Sequence, residues 1–188
     1  MFIQTETTPN PATLKFLPGR IVLSEGTEDF RTEDDATGRS PLAARLFGIP
    51  GGNGVFFGHD FISVTKDGPE WQHLKPAVLG TIMEHFMAGE PVMAGSALKA
   101  ESGEDGEFFD EADIEIVDTI KELLDSRVRP AVANDGGDIT FKGYRDGTVF
   151  LAMKGACSGC PSSTATLKHG IQNLLKHFVP EVQAVEAV

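Results

Sequence analysis

Between Ala94 and Phe109 the chain loses the apolar periodicity that a folded element needs. The run Ala94-Gly95-Ser96-Ala97-Leu98-Lys99-Ala100-Glu101-Ser102-Gly103-Glu104-Asp105-Gly106-Glu107 is small, polar and acidic. Such a stretch has too little to bury to offset the entropy of ordering it, so residues 94–109 are expected to form a flexible acidic linker. The 188 residues should therefore fold around two small cores, in domains spanning residues 1–93 and 110–188.

Charge excludes one class of partner. The net charge is −12, divided as −5 over residues 1–93, −3 over 94–109 and −4 over 110–188. This spread favours solubility, and it opposes a phosphate backbone, whose affinity for proteins comes largely from cationic contacts. Nucleic acid is not an expected partner. No apolar run approaches the roughly 18 residues that would span a bilayer, and Met1-Phe2-Ile3-Gln4-Thr5-Glu6 has neither a basic region nor a signal-like core. No membrane association is expected. The expected location is a bacterial cytoplasm, with a mitochondrial matrix, reached after loss of a presequence, as the alternative.

Both halves mix helix and strand, which predicts an α+β fold for each. In the first, Phe2–Glu6 and Thr13–Leu17 read as strands around the turn Thr8-Pro9-Asn10-Pro11. Ser40-Pro41 caps a short helix through Phe47, Val55–Val64 reads as two strands around a glycine turn, and Lys75–Met87 as an amphipathic helix. In the second, Ile114, Val117, Ile120, Leu124 and Val128 mark a helix that Pro130 should stop. Ile139–Tyr144 and Thr148–Met153 flank Arg145-Asp146-Gly147, a hairpin signal. Leu167, Ile171, Leu174, Leu175 and Phe178 mark another helix, and Val182, Val185 and Val188 a possible short final strand. The second domain is thus helix, hairpin, helix.

The chain has two cysteines, Cys157 and Cys160. So small a loop would staple little of a fold this size, so a reducing compartment with two available thiols fits better than a disulfide framework. Both lie in Lys154-Gly155-Ala156-Cys157-Ser158-Gly159-Cys160-Pro161-Ser162-Ser163-Thr164, between a predicted strand and a predicted helix. Pro161 suits a first helical turn, which makes Cys160 the expected N-cap, with free N–H groups and the helix dipole favouring its thiolate. Thiolate is the form that binds metal.

Cys-x-x-Cys by itself leaves several readings open: a redox pair, half of a zinc site, half of an iron-sulfur ligand set, or two incidental thiols. A redox pair would be expected early in a βαβ pattern, whereas this one follows a hairpin. Zinc and cubane iron-sulfur sites ordinarily take four ligands. His169 and His177 lie too far along the second helix to complete the loop easily, and read as solvated. A second copy of the chain would supply both missing thiolates across a two-fold contact.

Three segments of the second domain carry a family resemblance. They are Gly136-Gly137-Asp138-Ile139, the cysteine loop Gly155–Ser163, and Thr166-Leu167-Lys168-His169-Gly170-Ile171, followed by Val179-Pro180-Glu181-Val182. They resemble the NifU C-terminal-type (Nfu) domain. Met1–Glu6, Thr8-Pro9-Asn10-Pro11 and Leu14-Lys15-Phe16-Leu17-Pro18-Gly19 resemble the N-terminal domain of Nfu proteins. The resemblance implies a non-enzymatic iron-sulfur scaffold or carrier, typically of [4Fe-4S], that receives a cluster from upstream donors and passes it to apo-proteins. It gives Cys157 and Cys160 the ligand role, with the cluster shared in a homodimer, and gives the N-terminal domain a part in engaging clients. The further scaffold and ferredoxin-like domains of larger NifU proteins have no counterpart here, which favours late delivery over primary assembly. A thiol-disulfide oxidoreductase and a structural zinc-bridged dimer are the competing functions of the same cysteine pair.

Other residues draw plainer expectations. Asp135-Gly136-Gly137-Asp138 reads as a helix-to-strand turn whose acids could face the cysteine loop, and Gly51-Gly52-Asn53-Gly54 as a flexible turn. Trp71, Phe56, Phe57 and Phe86 are expected in the core. Phe108 and Phe109 could dock on the C-terminal domain or belong to a client-facing patch.

Overall fold

The computed structural model describes residues 1–95, 107–157 and 161–188, with side chains from 164 onward in the last stretch. Most of the expected linker lies outside the described residues. Two compact units, Met1–Ser102 and Gly103–Val188, make up the chain. Both are α+β.

The first unit contains a five-stranded antiparallel sheet in the order β1-β2-β5-β4-β3. Its strands are β1 (Gln4–Thr7), β2 (Thr13–Leu17), β3 (Glu28–Phe30), β4 (Gly52–Phe57) and β5 (Ile62–Lys66). The helices are α1 (Glu33–Ala36), α2 (Pro41–Phe47) and α3 (Trp71–Ala88). Alternation along the strands sends Leu14, Phe16, Val55, Phe57, Ile62 and Val64 into a core with Leu42, Leu46, Val78 and Ile82. On the other face Lys15 is buried, 3.5 Å from Glu6 and 4.6 Å from the centre of the Phe61 ring. Phe56 and Phe57 are buried, while Trp71 and Phe86 pack on the core from a partly covered position.

Two expectations for this unit change. Gly52, Asn53 and Gly54 belong to β4, where a register shift lies between Gly52 and Gly54. A Cβ on Gly52 would stand 2.9 Å from the Leu46 carbonyl oxygen, so glycine there permits a close backbone approach. Helix α3 starts at Trp71 rather than Lys75 and carries Pro76 inside it. A proline this near the N-terminus removes only one early hydrogen bond, which packing of Leu74 and Val78 outweighs. The short β3 and α1 have no periodic sequence signal.

The second unit contains α4 (Ile114–Leu123), α5 (Arg129–Asn134), β6 (Gly137–Arg145), β7 (Thr148–Gly155), α6 (Pro161–Phe178) and β8 (Ala184–Ala187). The hairpin β6-β7 turns at Asp146 and Gly147, with φ of 50° and 78°, the double positive φ of a primed hairpin turn. The expected final strand is β8, which joins β7 in parallel. Its Val185 is fully buried and Val182 nearly so, whereas Val188 is exposed.

Pro130 does not end the helix. A π-helical turn, Leu124–Val128, connects α4 to α5, and the helical path continues to Asn134. Wider π spacing relieves the clash of a proline ring with the carbonyl one turn back. Phe108 docks within the C-terminal unit: it bridges to Gly143, where a Cβ would meet its ring at 2.5 Å. Its ring centre is 5.1 Å from that of Phe150. Phe109 stays partly exposed, 6.5 Å from Phe141.

Candidate functional site

The candidate site forms where β7 hands the chain to α6. Gly155 closes β7 with a φ of 66°, a conformation that glycine adopts without strain. Ala156 then donates its N–H to the Gly136 carbonyl at 3.2 Å. This bond ties the loop to the Asp135–Asp138 segment, which is the expected turn from α5 into β6; Gly136 supplies its positive φ of 81°.

Cys157 follows, and its residue is only 7% exposed. A Cβ built on Gly137 would lie 2.8 Å from the Cys157 Sγ and 2.7 Å from the Lys154 carbonyl oxygen. The sulfur thus occupies room that any other residue at 137 would fill. From the first turn of α6, the Thr164 hydroxyl donates to the Cys157 carbonyl at 3.0 Å. Cys160, the expected N-cap of α6, lies outside the described residues. Pro161 is the first residue of that helix, as its position in the sequence predicts.

Electrostatics around Cys157 disfavour its thiolate, while the thiolate expected at Cys160 falls outside the described residues. Burial pushes its thiol up to about 11, and the negative charges of Asp135 and Asp138 add to the shift. Both effects favour the neutral thiol over the thiolate at Cys157. The acids of the turn lie near enough to the cysteine for their charges to act on its thiol.

Asp138 is itself buried and accepts from Arg129 Nε at 3.0 Å and Nη2 at 3.1 Å. Arg129 Nη1 donates to Asp125 at 3.0 Å. The hydrogen bond to Asp138 raises the guanidinium pKa further. Arg129 begins α5 directly after the π turn, so a local helical irregularity places the cation that anchors the start of β6. This pair, Thr164 and the missing side chain of Gly137 escape a reading of sequence alone. Only the Gly-Gly-Asp spacing hinted at one of them.

His169 and His177 are exposed on α6, and His177 packs edge-on against Phe178 with ring centres 4.9 Å apart. Among the described residues, no group of three or more His, Cys, Asp and Glu side chains could hold a metal ion. Nor is any described helix long and apolar enough to cross a membrane.

Fold and site together define a class: a two-unit α+β chain whose second unit holds a cysteine at a strand-to-helix junction. The family description "Scaffold protein Nfu/NifU N terminal" matches residues 3–89, and "NifU-like domain" matches residues 120–186. The chain is 52% identical over its whole length to the human "NFU1 iron-sulfur cluster scaffold homolog, mitochondrial", of which it spans 72%. It is also 52% identical to the protein of the same name from Drosophila ananassae, of which it spans 64%. The solution structure of a NifU-like protein from Saccharomyces cerevisiae is 27% identical, covering 50% of this chain and 86% of its own, at a TM-score of 0.45. This chain belongs to the Nfu/NifU family of iron-sulfur cluster scaffold proteins.

Proposed function

We propose that the chain is a non-enzymatic carrier that binds one [4Fe-4S] cluster between two copies, through Cys157 and Cys160 of each, and delivers it to apo-proteins. The observation that carries this reading is the placement of Cys157 at the junction of β7 and α6, one residue beyond the backbone bond from Ala156 to Gly136. A chain that brings two sulfurs to a cluster needing four ligands is completed by its own copy. Such a shared centre leaves by ligand exchange, as client thiolates replace those of the carrier and the dimer parts.

Upstream donors would load the carrier, and the first unit would help to engage clients. The family membership supports the scaffold role. The mitochondrial names of the relatives support the matrix over the cytoplasm. A thiol-disulfide oxidoreductase needs an attacking cysteine with a lowered pKa, and the upward shift at Cys157 counts against it in that role.

Anaerobic reconstitution with ferrous iron and sulfide tests the reading. The wild-type chain should retain iron and acid-labile sulfide together, and Cys157→Ala should retain neither. Zinc uptake without sulfide would favour a structural bridge instead, and equal cluster content in Cys157→Ala would remove that cysteine from the ligand set.

A further inference from the structure

A sulfur shared between two chains has to reach the protein surface, yet Cys157 is buried and belongs to the hydrophobic core of its own unit. Something holds it there. We infer that Thr164 is a positioning residue for Cys157: by donating to the Cys157 carbonyl it keeps the sulfur stowed over Gly137 until cluster binding draws it out. The inference rests on the proposed role of Cys157 as a cluster ligand.

The Thr164 bond differs from those of Thr81, Thr119 and Ser126. Thr81, Thr119 and Ser126 donate to the carbonyls of Ala77, Glu115 and Glu122, each four residues back along its own helix. Such bonds satisfy the hydroxyl and do little else. Thr164 instead reaches out of α6 to a residue seven positions earlier, at 3.0 Å. It therefore couples the helix to the end of β7.

Two further contacts define the pocket. Gly137 offers no side chain, so the sulfur lies where a Cβ would be 2.8 Å away. On the preceding residue, Ala156 N–H is bonded to the Gly136 carbonyl. The Gly136 and Gly137 backbone supplies one wall, and Thr164 fixes the carbonyl on the helix side. Of these restraints, only the hydroxyl can be deleted without reshaping the sheet.

The net worth of one such hydrogen bond corresponds to roughly a fivefold change in the balance between stowed and presented sulfur. The test uses the full chain carrying Cys160→Ser, so that Cys157 is its sole thiol, and iodoacetamide at one fixed pH. Adding Thr164→Val should raise the alkylation rate about fivefold, and Thr164→Ser, which keeps the hydroxyl, should restore the parent rate. A valine variant that reacts at the parent rate, or a serine variant as fast as valine, overturns the inference.

Near-ultraviolet dichroism of Tyr144, the sole tyrosine and a residue of the second unit, reports whether each variant is folded. If valine is not accommodated, Thr164→Ala removes the same hydroxyl without added bulk and carries the same expectation. In chains with both cysteines, Thr164→Val should also gain cluster absorbance faster than wild type when given ferrous iron and sulfide. Equal loading rates would overturn the link between stowing and loading. Should even the wild-type chain take up no cluster, the ligand reading fails, while the alkylation rates still decide whether Thr164 holds the sulfur.

Discussion

Replacing Arg129 by alanine should weaken the second unit substantially. The Asp138 carboxylate is only 6% exposed, whereas the Arg129 side chain is 41% exposed. Truncating the arginine removes the two N–H groups it donates to the buried Asp138 carboxylate and the positive charge beside it. Breaking a fully buried pair this way costs about 3–5 kcal/mol. Water can enter from the half-open arginine side, so about 2–3 kcal/mol is the expected loss here. With a urea slope near 1 kcal/mol/M for so small a unit, the midpoint should fall by about 2–3 M.

The two units can be followed separately in the intact chain. Trp71, the sole tryptophan, lies in the first and Tyr144 in the second. Urea unfolding of Arg129→Ala should shift the tyrosine transition and leave the tryptophan transition in place. Combining it with Asp138→Asn removes the buried negative charge as well, so the double variant should be more stable than the sum of the two single losses predicts, by about 1 kcal/mol or more. A single-variant loss below about 0.5 kcal/mol, or simple additivity, would refute the view that this pair anchors the start of β6.

Three other outcomes follow from the same geometry. Because the Cys157 thiol is raised from 9.0 to about 11, the folded state favours its neutral form. That preference is fully present below pH 9 and lost as pH rises through 11, and is worth about 2–3 kcal/mol; in the Cys160→Ser chain, alkylation rates should level off near 11, and a plateau near 9 would contradict the burial. Buried His85 has its pKa lowered from 6.5, first by desolvation and then by the Arg45 charge. Its stabilising contribution is present above 6.5 and lost as pH falls through the lower folded value, so acid should shift the Trp71 transition, and His85→Gln should flatten that dependence. Gly147→Val puts a β-branched residue at a φ of 78°, with a Cβ 3.0 Å from the Glu181 carbonyl oxygen; a loss of about 2 kcal/mol in the Tyr144 transition is expected, and an unchanged midpoint would count against a tight turn there.

Strongly periodic elements were readable from the residues alone. Asp146-Gly147 announces the β6-β7 hairpin, Ser40-Pro41 announces α2, and the spacing from Leu167 to Phe178 announces α6, because each signal is local. The departures occur where tertiary packing decides. Gly52 enters a strand at a place where the Leu46 carbonyl leaves no room for a Cβ, and α5 survives Pro130 because a π turn absorbs the ring. Cysteine spacing points to the candidate site, but not to the inward packing of Cys157, since that depends on Gly137 twenty residues earlier and on a hydroxyl from the following helix. The pairing of Arg129 with Asp138 is likewise set by how α5 meets β6, which no single-segment pattern records.

Cluster stoichiometry tests the shared-ligand claim most directly. The full chain, reconstituted without oxygen and freed of excess thiol, would be analysed for iron and acid-labile sulfide while light scattering gives its mass. The expected result is one [4Fe-4S] cluster for every two chains, with dimer appearing only on loading. A monomer that retains a complete cluster without an external thiol would contradict sharing, and a chain that keeps neither iron nor sulfide would contradict the carrier function itself.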